Sequence, residues 1–177
     1  MSREAANRLA RIAEVARQRG VKPCQALFAT FLAGLTEAGI LNQATVNLLA
    51  KSAAPKLYEY LRALDYLPEP SGEPVRDLVE LSRRLYEVFE IGGGFEYKTL
   101  GENVVEIGFG GDGCRYCPKG VGLAEIPWTA CPFPRLYEQI VNLYGVKARL
   151  QPQKAENGSK RLVVRRGGKC WFRFEVG

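Results

Sequence analysis

The sequence predicts an α+β protein in which N-terminal helices pack on an antiparallel β-sheet that carries a cysteine-rich metal loop. Three observations support this fold class. Apolar residues recur at helical spacing as far as residue 91. After the glycines of "IGGGF" they alternate with a period of two, which is typical of strands. Two cysteines separated by two residues then follow in "GDGCRYCPKG", in a chain that has no histidine.

Four helices are predicted in the first half of the chain. Residues 3–19 form an amphipathic helix, and the apolar stretch at 25–38 forms a second that Gly39 ends. Residues 41–67 continue as helix, with Pro55 as either a kink or the first turn of a new helix. "PEPSGEP" is a linker-like turn, and Pro74 opens the fourth helix.

The second half is predicted to form a sheet interrupted by a loop and a helix. Residues 95–99 and 105–109 form a hairpin, and a short helix follows at 134–144. Strands are predicted near 146–152, 160–166 and 169–176, the last two joined by a tight Gly-Gly turn. We therefore expect a basic N-terminal helix, residues 1–22, and a single domain, residues 23–177. Its helical half is 23–91 and its sheet half is 92–177.

Composition limits the class of protein. The chain has 177 residues, 46% of them hydrophobic, which is enough for one sizeable core. Its N-terminus is charged and does not resemble a signal peptide. The most apolar stretch, residues 24–41, contains Glu37 and two glycines, so we expect a buried helix and no membrane span. These features predict a cytoplasmic protein, in which five cysteines favour metal or redox chemistry over a disulfide framework.

The net charge of +6 is unevenly distributed. Residues 1–22 hold six Arg or Lys, and residues 147–173 hold nine against Glu156 alone. Such asymmetry is compatible with a nucleic-acid or acidic partner. Solvated faces of a helix and a hairpin explain the same pattern, and we prefer that interpretation.

Four cysteines are the candidate metal ligands. Cys114 and Cys117 form a Cys-x-x-Cys pair among glycines, and Cys131 follows 14 residues later. Cys170 begins the last strand and shares the face of its apolar residues, so its thiol points toward the core. Four thiolates satisfy tetrahedral Zn²⁺ without histidine and leave no open position, which predicts a structural site.

Other uses of these residues stay open. A thioredoxin-type redox pair requires a strand-to-helix junction, whereas this pair lies in a loop. Disulfides among the four are an alternative, and Cys24 is best explained as a separate buried thiol. Asp112 and Glu125 flank the cysteines and suit acid or base roles at an open metal site; Glu125 is also a substitute ligand. We expect no enzyme, because the chain lacks a Ser-His-Asp set and a phosphate-binding loop motif.

A resemblance follows from the cysteine-proline loop and the closing "GKCWFRFEV". Over about residues 25–177 the chain resembles the 4-vinyl reductase (4VR) domain family, whose superfamily includes Golgi transport-complex subunits and haem-based nitric-oxide sensors. The family occurs alone in archaea and as the sensor of bacterial regulators. Cys170, with Phe172 or Phe174 and then Val176, matches the family's closing pattern. The Glu-x-x-Cys that often precedes that cysteine is missing, and haem ligation by histidine is excluded.

The resemblance implies an apolar ligand held between helices and sheet, zinc bound by cysteines, and a homodimer formed through helices. Cys117 and Cys131 are the next best matches to the zinc ligands after Cys170. The candidate ligand-binding residues are Phe28, Phe31, Leu32, Phe89, Phe95, Tyr97, Phe109 and Trp128.

The alternative function is a zinc-containing nucleic-acid-binding or regulatory protein. It would use the basic C-terminal strands for phosphate contacts and aromatic rings for stacking. The candidate cations outside the cysteine loop are Lys147, Arg149, Lys160, Arg161, Arg165, Arg166, Lys169 and Arg173. The candidate stacking residues are Tyr116, Tyr144 and Trp171.

Overall fold

The computed structural model describes residues 3–125, 131–156 and 158–177 and confirms an α+β fold with an antiparallel sheet. All five predicted helices are present, and each end lies close to its predicted position. They are α1 Arg3–Arg19, α2 Pro23–Glu37, α3 Gln43–Ala63, α4 Pro74–Val88 and α5 Phe133–Tyr144.

Local sequence signals set the ends of these helices. Asn42 caps α3, since its side-chain oxygen accepts the N–H groups of Ala44 and Thr45 at 2.9 and 3.1 Å. Gly145 ends α5 with a φ of 109°, a left-handed conformation that favours glycine. Pro55 lies inside α3 and does not start a new helix. Of the two alternatives for Pro55, the second is therefore wrong.

Seven strands lie in the described part of the second half. They are β1 Phe95–Thr99, β2 Val104–Phe109, β3 Ala148–Gln151, β4 Gln153–Lys154, β5 Lys160–Arg161, β6 Val164–Arg166 and β7 Lys169–Val176. The main sheet has the order β1-β2-β7-β3, and β6 also pairs with β7. Every pairing is antiparallel. The predicted third and fourth strands are each shorter than expected, because β4 and β5 form a separate two-stranded ribbon.

The helices cover one face of the main sheet. Helices α4 and α5 contact this face, and α3 packs along α5. The buried side chains of β2 and β7 that point to them include Ile107, Phe109, Phe172 and Phe174. A second, smaller cluster joins α2 to the start of α3 through Leu32, Leu41 and Val46 among others. The region between the two clusters holds the candidate site.

The opposite face of the sheet is also covered in part. Trp171 is 4% exposed there, although the alternation of β7 places it away from the core. Strand β6 pairs with β7 beside it in the sheet, and Gln153 of β4 donates to its carbonyl at 3.0 Å. The charged groups of Lys98 and Arg166 lie over the Trp171 ring. Glu106 is buried beside it and pairs with Arg166 and Arg173.

In the part of the chain that the structure describes, no helix combines the length and the apolar character needed to cross a membrane.

Candidate functional site

The cysteine loop is held against the end of the helical half by close backbone contacts. The N–H of Arg115 donates to the carbonyl of Ile91 at 2.9 Å, and that of Gly110 donates to Gly92 at 3.1 Å. A Cβ at Gly93 would lie 2.0 Å from the Gly110 carbonyl oxygen, so the two segments approach this closely only because residue 93 is glycine. The glycine-rich break thus determines where the thiols lie.

The fold brings the four predicted metal ligands together. Cys114 follows the short 3₁₀ turn Gly111–Gly113, Cys117 lies three residues on, Cys131 precedes α5 and Cys170 lies in β7. Each of the six pairs that four thiols can form is close enough for its charges to interact. Cys24, by contrast, is exposed at the start of α2. The expectation of a buried Cys24 is therefore wrong: Cys24 lies on the solvent-exposed side of the first turn of α2, next to the buried Gln25.

Backbone N–H groups point at all four sulfurs. The N–H of Gly120 donates to the sulfur of Cys117 at 3.3 Å. Those of Tyr116, Phe133 and Gly111 donate to the sulfurs of Cys114, Cys131 and Cys170 respectively. Such donors stabilise the thiolate rather than the thiol, and they are usual around metal-bound sulfur.

Three of the thiols, those of Cys114, Cys131 and Cys170, favour their neutral form. Burial raises the pKa of Cys114 to about 12, and the neighbouring Cys117 adds to the rise. Burial likewise raises the pKa of Cys170, and it raises that of Cys131 well above the usual value. A group of thiols that lie together and resist ionisation has the chemistry of a site that a cation completes.

As placed, the sulfurs do not form a finished metal site. All five cysteines are free, so the disulfide alternative has no counterpart in the structure. Among the described residues no group of three or more Cys, Asp or Glu side chains is arranged to hold a metal ion.

A basic cleft opens over two of the thiols. It has a volume of about 630 Å³, and both Cys117 and Cys170 line it. Its cationic side chains are Arg19, Lys119, Arg161 and Arg165. Arg19 also donates to the carbonyl of Cys114 at 2.8 Å. These cations favour ionised sulfur, and their presence lowers the pKa of Cys114 and Cys170, although burial outweighs the effect.

The two acidic residues beside the cysteines do not join the cluster. Asp112 is exposed and forms an ion pair with Arg165. Glu125 is exposed as well, and its backbone N–H donates to Glu37 at 3.2 Å.

An apolar cavity lies on the other side of the cysteine loop. Its volume is about 420 Å³, and α2, α3, α5 and the loop segment around Tyr116 form its walls. Its lining residues are Phe28, Phe31, Leu32, Leu35, Leu41, Val46, Leu49, Ala50, Ala53, Leu57, Phe89, Tyr116, Pro132, Phe133 and Leu136. The lining offers hardly any polar atom to a ligand, since the Tyr116 hydroxyl is already bonded to the carbonyl of Phe89.

Four of the candidate ligand-binding residues line this cavity, namely Phe28, Phe31, Leu32 and Phe89. Phe109 does not, because its ring is 1% exposed and packs in the main core. Phe95 and Tyr97 lie at a separate groove between α4 and β1. Trp128 lies outside the described residues. The α3 side of the cavity, from Val46 to Leu57, was not among the predicted residues.

The cavity and the thiol cluster share structural elements. Tyr116 lies between Cys114 and Cys117 in the chain, and its ring contacts Phe28 and Phe133 edge-on at 5.8 and 5.6 Å. Phe133, which the Tyr116 ring contacts, lies two residues after Cys131. One wall of the cavity is therefore built from residues adjacent to three of the thiols.

The aromatic residues considered for stacking already make contacts within the protein. The charged groups of Lys98 and Arg166 lie over the Trp171 ring, at 4.7 and 5.4 Å from its centre. The Tyr144 hydroxyl donates to the carbonyl of Pro68 at 2.9 Å, and the Tyr116 ring forms part of the cavity wall. Four of the cations are also paired within the protein: Arg165 with Asp112, Arg166 and Arg173 with Glu106, and Lys169 with Glu96.

Together these features define an α+β protein with an apolar cavity beside a cluster of four thiols. The chain belongs to the MJ0207 family, whose model matches residues 39–176. It is similar to "Uncharacterized protein MJ1342" of Methanocaldococcus jannaschii, with 36% identity over 70 residues. That match covers 40% of this chain and 59% of the relative, so the chain spans less than two thirds of the relative's length. No solved structure matches the chain significantly.

Proposed function

We propose that the protein binds an apolar small molecule in the cavity between α2, α3 and α5, and that a zinc ion held by the four cysteines stabilises one wall of that cavity. The cavity is the observation that carries the proposal. It has space for a ligand of about 420 Å³, and its walls are almost wholly apolar. Cavities of this size and lining are typical of small-molecule sites.

The absence of polar anchors in the lining defines the class of ligand. A carboxylate or phosphate inside the cavity would lose its hydration without a partner, at a cost of roughly several kcal/mol. The hydrocarbon part of a ligand would therefore lie inside, and any polar group would remain at the mouth, where Phe31 and Leu49 are exposed. This agrees with the kind of ligand that the 4VR resemblance implies. We propose a binding or sensing role rather than catalysis.

Zinc is the ion that best suits the four thiols. Soft thiolate ligands favour zinc among common divalent ions, and four of them form a closed structural shell. The resulting group carries two net negative charges. Arg19 lies beside Cys114, and Arg165, which also pairs with Asp112, lies beside Cys170, so both cations offset part of that charge. The N–H groups at all four sulfurs would serve as hydrogen-bond donors to the bound thiolates. A bound zinc ion would cross-link the segments that carry the four cysteines and would take no part in a reaction.

The nucleic-acid alternative has weaker support from the geometry. It requires free cations and free rings, whereas Arg166, Arg173 and Lys169 are paired and Trp171 is enclosed. The remaining basic cleft lies directly over Cys117 and Cys170, where a zinc–thiolate group would offset its charge. A homodimer and a cytoplasmic location remain part of the proposal.

The ligand proposal is tested with the neutral fluorescent probe N-phenyl-1-naphthylamine. Probe fluorescence should rise and saturate at one probe per chain. Ala53 lines the cavity mouth and is itself exposed, so Ala53→Trp should block the probe without disturbing the core. Ala63→Trp, on the exposed end of the same helix, is the matched control and should bind normally. Equal binding by both variants would place the probe elsewhere and contradict the proposal.

The zinc proposal is tested by elemental analysis and native mass spectrometry of the purified protein. We expect one zinc ion per chain, lost in Cys131→Ser and retained in Cys24→Ser, since Cys24 lies apart from the cluster. Iron with sulfide, or a metal-free chain with reduced thiols, would reject zinc. The same spectra would reveal a retained apolar ligand, so the two parts of the proposal can succeed or fail separately.

A further inference from the structure

The edge of the main sheet at β1 is free. Strand β1 is the terminal member of the order β1-β2-β7-β3, and no other strand among the described residues pairs with it. All of its residues except Phe95 are exposed. An open edge strand presents unpaired backbone groups that readily pair with another strand, so proteins normally cover or block it.

The hydrogen-bond pattern determines which residues of β1 face outward. The N–H of Leu100 donates to the carbonyl of Val104 at 2.8 Å, which sets the phase of the ladder with β2. Backbone groups at even positions of β1 therefore bond to β2, because the pattern alternates along an antiparallel strand. Those of Phe95, Tyr97 and Thr99 point away from the sheet and are available to a partner.

We propose that β1 pairs antiparallel with β1 of a second copy of this chain, with the two-fold axis at Tyr97. In that register Tyr97 lies opposite the partner's Tyr97, and Phe95 lies opposite the partner's Thr99. All three outward-facing residues then exchange backbone hydrogen bonds with outward-facing residues. The interface is isologous, as a two-fold dimer requires, and the result is one continuous sheet across the dimer.

The charges of β1 select this register. Glu96 lies opposite the partner's Lys98, and Lys98 lies opposite the partner's Glu96, giving two attractive cross-strand pairs. Because these positions are not hydrogen-bonded across the new interface, their side chains lie especially close. A slip of two residues in one direction would place Glu96 opposite the partner's Glu96. A slip in the other would oppose the two Lys98 side chains, so both neighbouring registers are repulsive.

The groove beside β1 adds contact area. It is about 470 Å³ in volume and is lined by Arg83, Tyr86 and Glu87 of α4 together with Phe95, Glu96 and Tyr97. Tyr97 is 48% exposed at its rim. The two-fold axis places the partner's Tyr97 next to this groove, where both rings would be shielded from water. This arrangement is independent of the proposed ligand and metal.

Charge-reversal variants test the interface by sedimentation velocity across a dilution series. The wild type should form a dimer. Glu96→Lys and Lys98→Glu should each raise the dimer dissociation constant by about tenfold or more, because two attractive pairs become repulsive. An equimolar mixture of the two variants should regain dimerisation, since each strand then faces its opposite charge pattern. Lys169→Gln removes the internal Glu96–Lys169 pair of 2.7 Å and should leave the dimer unchanged.

A backbone variant gives a second test that does not depend on charge. Tyr97→Pro should abolish the dimer while leaving the chain folded by circular dichroism, because the N–H of residue 97 makes no bond to β2. A chain that stays monomeric at every concentration would overturn the proposal. So would a dimer that resists these variants and dissociates in Leu27→Asp, on the exposed face of α2.

Discussion

The hydroxyl of Tyr116 donates to the backbone carbonyl of Phe89 across 2.7 Å, and this bond connects the cysteine loop to the end of helix α4. Both residues line the apolar cavity. Burial raises the pKa of Tyr116, so the hydroxyl stays protonated and remains a donor at neutral pH. The contact links the position of the thiols to the shape of the cavity.

Replacing Tyr116 with phenylalanine should remove that link while keeping the cavity wall. The Phe89 carbonyl would lose a partner at a partly buried site, so we expect a loss of about 1–2 kcal/mol in the free energy of unfolding. Urea denaturation measures the change. Probe affinity should change little, because the ring remains; a tenfold loss of affinity would mean that the hydroxyl itself contacts the ligand.

Removing the metal should weaken ligand binding if the proposed zinc site is correct. Tyr116 and Phe133 lie beside the cysteines and form part of the cavity wall, so freeing the thiols should loosen that wall. Chelation should lower both the thermal midpoint and the affinity for N-phenyl-1-naphthylamine, and added zinc should restore both. Unchanged probe affinity in a metal-free protein would show that the cavity does not depend on the thiol cluster.

Much of the fold could be predicted because local signals agree with the tertiary structure. Gly167 and Gly168 have φ values of 55° and 72°, which is the conformation of the tight hairpin turn that their sequence indicates. Alternation along β7 also placed Cys170 with the buried face. Pro55 was ambiguous, since a proline inside a helix and one at a helix start carry the same local signal.

The cavity could be predicted only in part. Val46 and Ala50 of α3 line it, yet their helical spacing is also that of ordinary core residues. A cavity differs from a core by the volume left unfilled between elements, and this depends on how helices are placed rather than on any single helix. The same limit explains why Phe109 was wrongly predicted to line the cavity. The alternation of β2 indicates that Phe109 is buried, but it does not indicate which element Phe109 packs against.

Removing the buried charge of Glu106 should destabilise the sheet. Its carboxylate is 2% exposed and forms ion pairs with Arg166 at 2.8 Å and Arg173 at 2.7 Å. Glu106→Gln would leave both guanidinium groups without an anion. Since the arginines are partly exposed, water would offset some of the loss, and we expect about 1–3 kcal/mol by urea denaturation.

Glu175→Gln is the matched control for that experiment. Glu175 lies on the same face of the sheet but is exposed, so its replacement should change stability by less than about 0.5 kcal/mol. Equal effects of the two variants would show that the buried position of Glu106 has no special importance.

The stability of the linker before α4 should depend on pH through Asp77. Burial acts to raise the pKa of its carboxyl, but hydrogen bonds from the side chain and backbone of Ser71 and from the N–H of Gly72 outweigh it, so the pKa is lowered. The Ser71 contacts are 2.6 and 2.8 Å long, and that of Gly72 is 3.1 Å. A carboxyl whose pKa is lowered on folding stabilises the protein above its unfolded pKa, about 3.9 for Asp.

That contribution is lost as the pH falls through the lowered pKa of the folded state. Asp77→Asn should therefore cost about 1–3 kcal/mol near neutral pH, because an amide cannot accept all three hydrogen bonds. The difference between variant and wild type should shrink below about pH 4, as Asp77 of the wild type becomes protonated. Urea denaturation across this range measures both values. Glu73→Gln, at an exposed carboxylate of the same helix start, should show neither effect, and a pH-independent cost in Asp77→Asn would mean that packing rather than charge explains the role of Asp77.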